Sequence, residues 1–204
     1  MQKKRYLDFQ ADALQIISED VPGEFHSTWI PYDPSKPFSI EELKERIRQQ
    51  LSDAVIQHIT WFDASFTLIP MSLFEESELG TYYQLNFGKI APGMTLQFEK
   101  IHTLQLVVIY AVPAWIIELA QVTLFQKTVH SHISFLLNKQ FSESSLESTY
   151  LLLFDHVFVL SVKRNGQLQL CLPTEYQATT DVLYFILSNH QKMNLPKVNS
   201  LHAY

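Results

Sequence analysis

The chain has 204 residues, 47% of them hydrophobic and 18% charged. That mix can fill a core, suits one large domain or two small ones packed together, and is unlike a disordered chain. A net charge of −6 argues against a broad electrostatic grip on nucleic acid or on an anionic membrane. The single cysteine, Cys171, permits no intrachain disulfide and no multi-cysteine zinc or iron–sulfur site. It lies in QLQLCLP, which alternates like a strand, and reads as a small buried or half-buried residue rather than a nucleophile. The opening MQKKRYLDFQ has basic residues but no apolar stretch of signal length behind them. Apolar runs such as LVVIYAVPAWII are too short to span a bilayer and are broken by proline. The expectation is a cytoplasmic protein with no membrane partner.

Tyr6–Phe9 and Ala13–Ser18 read as strands joined through Gln10–Asp12, and Pro22-Gly23 marks a turn before a third strand, Phe25–Tyr32. Asp33–Pro37, with two prolines, is a loop. Ser39 followed by Glu42 forms a capping-box pattern, and Ile40, Leu43, Ile47 and Leu51 make an apolar stripe, predicting a helix over Ile40–Asp53. Val55–Phe62 and Ser65–Ile69 are strands, Ser72–Leu85 a helix and Lys89–Gly93 a loop. Thr95–Ile101 alternates, whereas Leu104–Val112 is a continuous apolar strand of the kind buried on both faces. Pro113 suits the first turn of a helix over Ala114–Leu124. Gln126–His130 is a short strand, Ser131–Asn138 a short helix, and the Ser- and Glu-rich Phe141–Ser148 a polar connector. Beyond it come strands Tyr150–Phe154 and Val157–Val162, a hairpin turn at Arg164-Asn165-Gly166, strand Gln167–Leu172, and a helix over Asp181–Gln191 capped by Thr180.

The opening pattern thus recurs. With Tyr6 placed on Tyr150, YLDFQADALQIISED lies against YLLLFDHVFVLSVKR, Leu14 meets Phe158 and Ile16 meets Leu160. Strand, strand, turn, strand and helix follow in the same order in both segments, which is the order of an RNase H-like half. The expected division is residues 1–141 and residues 149–204.

FTLIPMSLFEESELGTYYQLNF, IYAVPAWIIEL, KTVHSHISFLL and YLLLFDHVFVLSVKRNGQLQL carry a resemblance over most of the chain. They resemble an uncharacterised bacterial family, found mainly in Bacteroidetes, whose members have a duplicated actin-like ATPase fold. The resemblance implies an α/β actin-like architecture of two RNase H-like halves. Family members run tens of residues longer, so the second half is expected to be incomplete, or closed by a partner chain.

An actin-like ATPase cradles phosphates on two strand–turn–strand hairpins with an Asp-x-Gly pattern, which lets backbone N–H groups approach phosphate and an Asp position Mg²⁺. The corresponding turns here, Phe9-Gln10-Ala11-Asp12 and Asp155-His156-Val157, contain no glycine. The expectation is therefore a non-catalytic binding or scaffold protein with degenerate phosphate loops, no cofactor, and a protein partner or a second copy of itself. The alternative is a divergent nucleotide-binding protein that holds ATP and Mg²⁺ near Asp12, Asp155 and His156. A nuclease-like carboxylate set of Asp8, Glu42 or Glu41, and Asp63 is a weaker reading, because the capping box already accounts for Glu42. His130 and His132 lie two apart, a spacing that on a strand puts both on one face and could ligate a metal, but they read first as ordinary polar residues, as do His58 and His156. Trp29, Trp115 and Tyr82-Tyr83 suit a core or an interface as well as base stacking. No P-loop, Rossmann glycine pattern, nucleophile elbow or HExxH motif occurs.

Overall fold

A computed structural model describes residues 3–51, 54–124, 127–192 and 201–203. The chain forms two compact units: residues 1–69, 74–99 and 108–132, and residues 70–73, 100–107 and 133–204. In the first unit, β1 (Lys3–Phe9), β2 (Ala13–Val21) and β3 (Glu24–Pro31) form an antiparallel meander. Then come α1 (Pro37–Leu51) and β4 (Ala54–Trp61), which pairs parallel with β1. The sheet order is β3-β2-β1-β4-β8, where β8 is Val129–Ser131, parallel to β4. Alternation sends Leu7, Phe9, Leu14, Ile16 and Ile59 to a buried face, together with Leu43 and Ile47 from the apolar stripe of α1. Each such side chain contributes on the order of 1.5–3 kcal/mol on burial. Tyr6, Asp8, Gln15 and Thr60 point to the opposite face of the sheet.

Between β4 and β8 the chain builds β5 (Phe66–Pro70), α2 (Leu79–Phe87), β6 (Met94–Ile101), β7 (Leu106–Pro113) and α3 (Ala114–Glu118). The three strands form a small sheet in the order β5-β7-β6, and β7 is buried along almost its whole length, as its unbroken apolar run predicts. The expected helix over Ser72–Leu85 is not continuous. Short 3₁₀ turns at Met71–Leu73 and Glu76–Glu78 precede α2. Glu75 is extended (φ −121°, ψ 125°) because Phe74 turns aside to pack on Tyr82 and Phe98, with ring centroids 6.0 and 4.9 Å away. After α3, one π-helical turn, Leu119–Thr123, completes the helix expected to Leu124.

The second unit repeats the meander. α4 (His132–Ser142) leads to β9 (Ser148–Leu153), β10 (Val157–Arg164), β11 (Gln167–Glu175) and α5 (Thr179–Lys192). The sheet order is β11-β10-β9-β12, and β12 (Leu201–Ala203) pairs parallel with β9 as β4 does with β1. β12, too short to announce itself by pattern, was not expected from the sequence. Leu151, Phe158, Leu160 and Val162 face Val182 and Ile186 of α5. Across the sheet, the buried Gln140 of α4 donates to Ser148 and Ser161 carbonyls, at 3.1 and 3.3 Å. Lys163 donates to the carbonyls of Gln140 and Glu143 at the end of α4, both at 3.0 Å. At the β10–β11 turn, Asn165 (φ 51°) and Gly166 (φ 74°) adopt the left-handed conformation the sequence predicts.

Two caps differ from expectation. α1 starts at Pro37, so Ser39 lies inside its first turn and its hydroxyl accepts from the Asp33 N–H at 2.9 Å. Glu42 is therefore not part of a capping box, and it pairs with Arg46 one turn on. At α5, Asp181 rather than Thr180 holds the start: its carboxylate accepts from the N–H groups of Gln177 and Ala178, at 3.0 and 2.9 Å. The expected helix end at Asp53 and strand start at Gln126 lie outside the described residues.

Candidate functional site

The two hairpin turns are built alike. In the first, the Gln10 N–H donates to the Ala13 carbonyl (2.8 Å) and the Tyr32 N–H to the Asp12 carbonyl (2.8 Å), while the Tyr32 hydroxyl donates to the Gln10 carbonyl. In the second, the Phe154 N–H donates to the Val157 carbonyl (2.8 Å) and the Tyr176 N–H to the His156 carbonyl (3.0 Å). There the Tyr176 hydroxyl donates to the Phe154 carbonyl (2.7 Å). Each pair of equivalent residues is 144 positions apart, the same spacing as Tyr6 and Tyr150. The spacing extends to the next strand: Tyr6 stacks on His58 (6.0 Å, 24°) and Tyr150 on His202 (4.6 Å, 22°).

A tyrosine from the end of the third strand therefore closes each turn. Tyr32 is held edge-on by Trp115, as is Phe9. Burial, and then the negative charge of Asp12, push its phenol well above the ordinary range, so it stays a donor. Asp12 itself is exposed at the tip of the turn. Asp155 and His156 are exposed at the second tip, 3.1 Å apart, in a solvent-screened pair of little energetic weight.

Just before the first turn, Asp8-Phe9-Gln10 keeps the spacing of Asp-x-Gly with Gln10 at the glycine position. Asp8 is fixed by the Thr60 hydroxyl at 2.9 Å and His132 Nε2 at 2.8 Å. The equivalent of Asp8 in the second half is Leu152, so no carboxylate stands there. His132 opens α4 rather than continuing the strand of His130, so the two histidines do not share a strand face. His130 meets Glu99 instead, at 2.9 Å, and Glu99 also accepts from Ser131 N–H (2.6 Å) and Tyr110 (2.8 Å).

The nuclease-like carboxylates do not converge. Asp63 accepts from the N–H groups of Ser65 and Ala111, Asp8 binds His132, and Glu41 and Glu42 pair with Lys44 and Arg46 on the surface of α1. Among the described residues no three His, Cys, Asp or Glu side chains lie together as a metal site. Cys171 is half-buried on β11, and desolvation pushes its thiol up to about 12, which disfavours the thiolate a nucleophile needs.

An open cavity of about 680 Å³ lies beside the second turn, lined by His156, Val157, Glu175, Tyr176, Gln177, Asp181 and Phe185. It carries two carboxylates, and Asp181 already occupies the N–H groups of Gln177 and Ala178, which hold its pKa low. Those are the donors an anion at this helix start would use. A second cavity of about 430 Å³ is lined by Gln97, Ile117, Ala120, Lys127 and Val129, among others. No described helix is long and apolar enough to cross a membrane.

Asp8, Asp12, Asp155, His156 and His132 stand out in the sequence, whereas Tyr32 and Tyr176, which close the turns, and Glu99, which holds His130 and Ser131, do not. The signal for the tyrosines was available: extending the 144-residue offset to the end of the third strand places Tyr32 on Tyr176.

No curated protein matches this sequence. Among solved structures, a Bacteroides thetaiotaomicron protein with an actin-like ATPase fold and unknown function is similar at 18% identity. That likeness covers 99% of this chain and 81% of the other, with a TM-score of 0.77. An exopolyphosphatase from Cytophaga hutchinsonii is a more distant likeness, at 6% identity, 99% and 66% coverage and a TM-score of 0.44. The AlfA filament protein from a B. subtilis plasmid stands at 8% identity, 99% and 91% coverage and a TM-score of 0.41. The last two are too remote to bear on chemistry. The fold is the actin-like ATPase fold. Residues 55–199 match the family described as protein of unknown function DUF3822, and the chain belongs to that family.

Proposed function

We propose that this chain is a non-catalytic binding or scaffold protein on an actin-like fold whose phosphate turns have degenerated. The observation that supports this reading is the tyrosine closure of both turns. Where a nucleotide-binding turn needs glycine and presents backbone N–H groups, each turn here has a side chain at every position and a phenol seated on its carbonyl. The residues present do not suit a Mg²⁺–nucleotide. Asp8 is engaged by His132 and Thr60, its counterpart is Leu152, and the helix-start donors of the second half serve Asp181. The function that fits is holding a protein partner, with no nucleic acid, membrane or cofactor involved.

The test is a thermal-shift titration with ATP, ADP and GTP, each with and without Mg²⁺. A ligand that binds only the folded state raises the melting temperature. The expected result is no shift at millimolar nucleotide, and a Mg²⁺-dependent rise overturns the reading. One observation favours a divergent nucleotide-binding protein instead: the cavity beside His156, about 680 Å³, is of ligand size. On that reading Asp155→Ala abolishes the shift, and unchanged affinity rejects the placement of Asp12, Asp155 and His156 near phosphates.

A further inference from the structure

We propose that β3, the open edge of the first sheet, is a self-pairing interface that joins two copies of this chain through an antiparallel β3–β3 ladder.

Among the described residues β3 ends the five-stranded sheet, and every residue in it except Ile30 is exposed. Phe25 and Trp29 are 58% and 51% exposed, large values for aromatic side chains in a strand. The direction of the backbone follows from one bond. Tyr32 N–H reaches the Asp12 carbonyl, so residues 32 and 12 form a hydrogen-bonded pair of the β2–β3 ladder. Alternation then turns the backbone groups of Ile30, Thr28 and His26 toward β2, and those of Trp29, Ser27 and Phe25 outward.

The duplicated half makes the contrast. Its edge strand, β11, carries Pro173 at the position 144 residues after Trp29. Tyr176 N–H bonds the His156 carbonyl, so Pro173 is an outward residue by the same alternation. Its missing N–H costs the β10–β11 ladder nothing and refuses an added strand. β11 thus carries its outward proline within the strand, whereas the outward proline of β3, Pro31, is its last residue and leaves Phe25, Ser27 and Trp29 free to pair, with no lysine in the strand.

The open edge is also self-complementary. With Ser27 on a twofold axis, Phe25 falls opposite Trp29 of the second copy, His26 opposite Thr28, and Glu24 opposite Ile30. Phe25, Ser27 and Trp29 are the outward residues, so the ladder closes about six N–H···O bonds. Two aromatic cross-strand pairs lie on one face, and no like charges meet. A twofold ladder uses up the edge and closes the assembly, whereas a head-to-tail contact would propagate. The inference is independent of the state of the turns, because self-association and nucleotide binding are read by different measurements.

Sedimentation equilibrium of the full chain tests it. The expected mass at high micromolar concentration is twice 23.7 kDa. Ser27→Pro removes an outward donor without touching the β2 ladder, and is expected to weaken dimerisation ~10–100-fold with unchanged circular dichroism. Trp29→Lys places a cation in the aromatic pair, gives the same result, and decides the matter if Ser27→Pro does not fold. Ser27→Cys fixes the register. Paired Cα atoms at ~5.5 Å suit a disulfide, so mild oxidation yields a covalent dimer, while wild type, with only Cys171, does not cross-link. A wild-type monomer at every concentration overturns the proposal. So does a dimer that survives Trp29→Lys, or a Ser27→Cys variant that stays uncross-linked.

Discussion

Replacing Glu99 by alanine is expected to destabilise the first unit well beyond what an ordinary surface carboxylate would cost. Glu99 takes Ser131 N–H at 2.6 Å, Tyr110 at 2.8 Å and His130 at 2.9 Å. Ser131 is 1% exposed, so its N–H would be left buried without this acceptor, at a cost of ~1–3 kcal/mol. Tyr110 retains the Val129 carbonyl and loses less, about 0.5–1 kcal/mol. The His130 pair is partly exposed and adds at most ~1 kcal/mol. Together these give ~1.5–5 kcal/mol, or a melting temperature lower by roughly 3–20 °C for a chain of this length. Glu99→Gln keeps the side-chain volume and one carbonyl oxygen, and should cost only ~1 kcal/mol. Thermal denaturation followed by circular dichroism reads both variants.

The pH dependence gives a second readout of Glu99. Burial raises the carboxyl pKa, but His130, the Ser131 N–H and Tyr110 together outweigh it and hold the pKa below the ordinary value of 4.5. A folded pKa below the unfolded one contributes stability above the unfolded value, and that contribution is lost as pH falls through the folded value. The gap between wild type and Glu99→Gln should therefore be full at neutral pH and shrink below about 4.5. A Glu99→Ala melting temperature within a degree of wild type, or a gap that widens in acid, refutes the reasoning.

Tyr32→Phe and Tyr176→Phe each remove one phenol–carbonyl bond from an equivalent turn, and each should cost ~1 kcal/mol in chemical denaturation; a large inequality between them would contradict the equivalence of the two halves. Lys163→Met strips the donors from the Gln140 and Glu143 carbonyls and the cation from the Phe141 ring, 4.9 Å away, and should cost ~2–3 kcal/mol in the same assay. Asp8→Ala leaves Thr60 and His132 without their shared carboxylate and should cost ~1.5–3 kcal/mol, while Asp8→Asn, which keeps an acceptor, should recover about half; equal losses would show that charge rather than hydrogen bonding matters there.

The parts of the fold that were legible are those where local pattern and tertiary environment agree. The alternation of Leu14 and Ile16, the unbroken apolar run of β7, the stripe of Leu43 and Ile47, and the Asn165-Gly166 turn all carry their structure in adjacent residues. The errors fall where a distant partner overrides the local signal. Ser72–Leu85 looks helical until Phe74 finds Phe98, and Ser39 looks like a cap until Asp33 uses its hydroxyl. β12 exists because β9 offers it an edge, and a three-residue strand has no period to detect.

The candidate site divides along the same line. The sequence by itself determined that the two turns lack glycine and that one meander is a copy of the other, since both are properties of residue identity and spacing. Only the tertiary structure decided what closes each turn and what holds Asp8. Tyr32 lies 22 residues from Gln10, and Asp8 lies far from His132 in sequence. No local period joins such pairs; strand pairing brings them within hydrogen-bonding distance, and burial makes those bonds necessary.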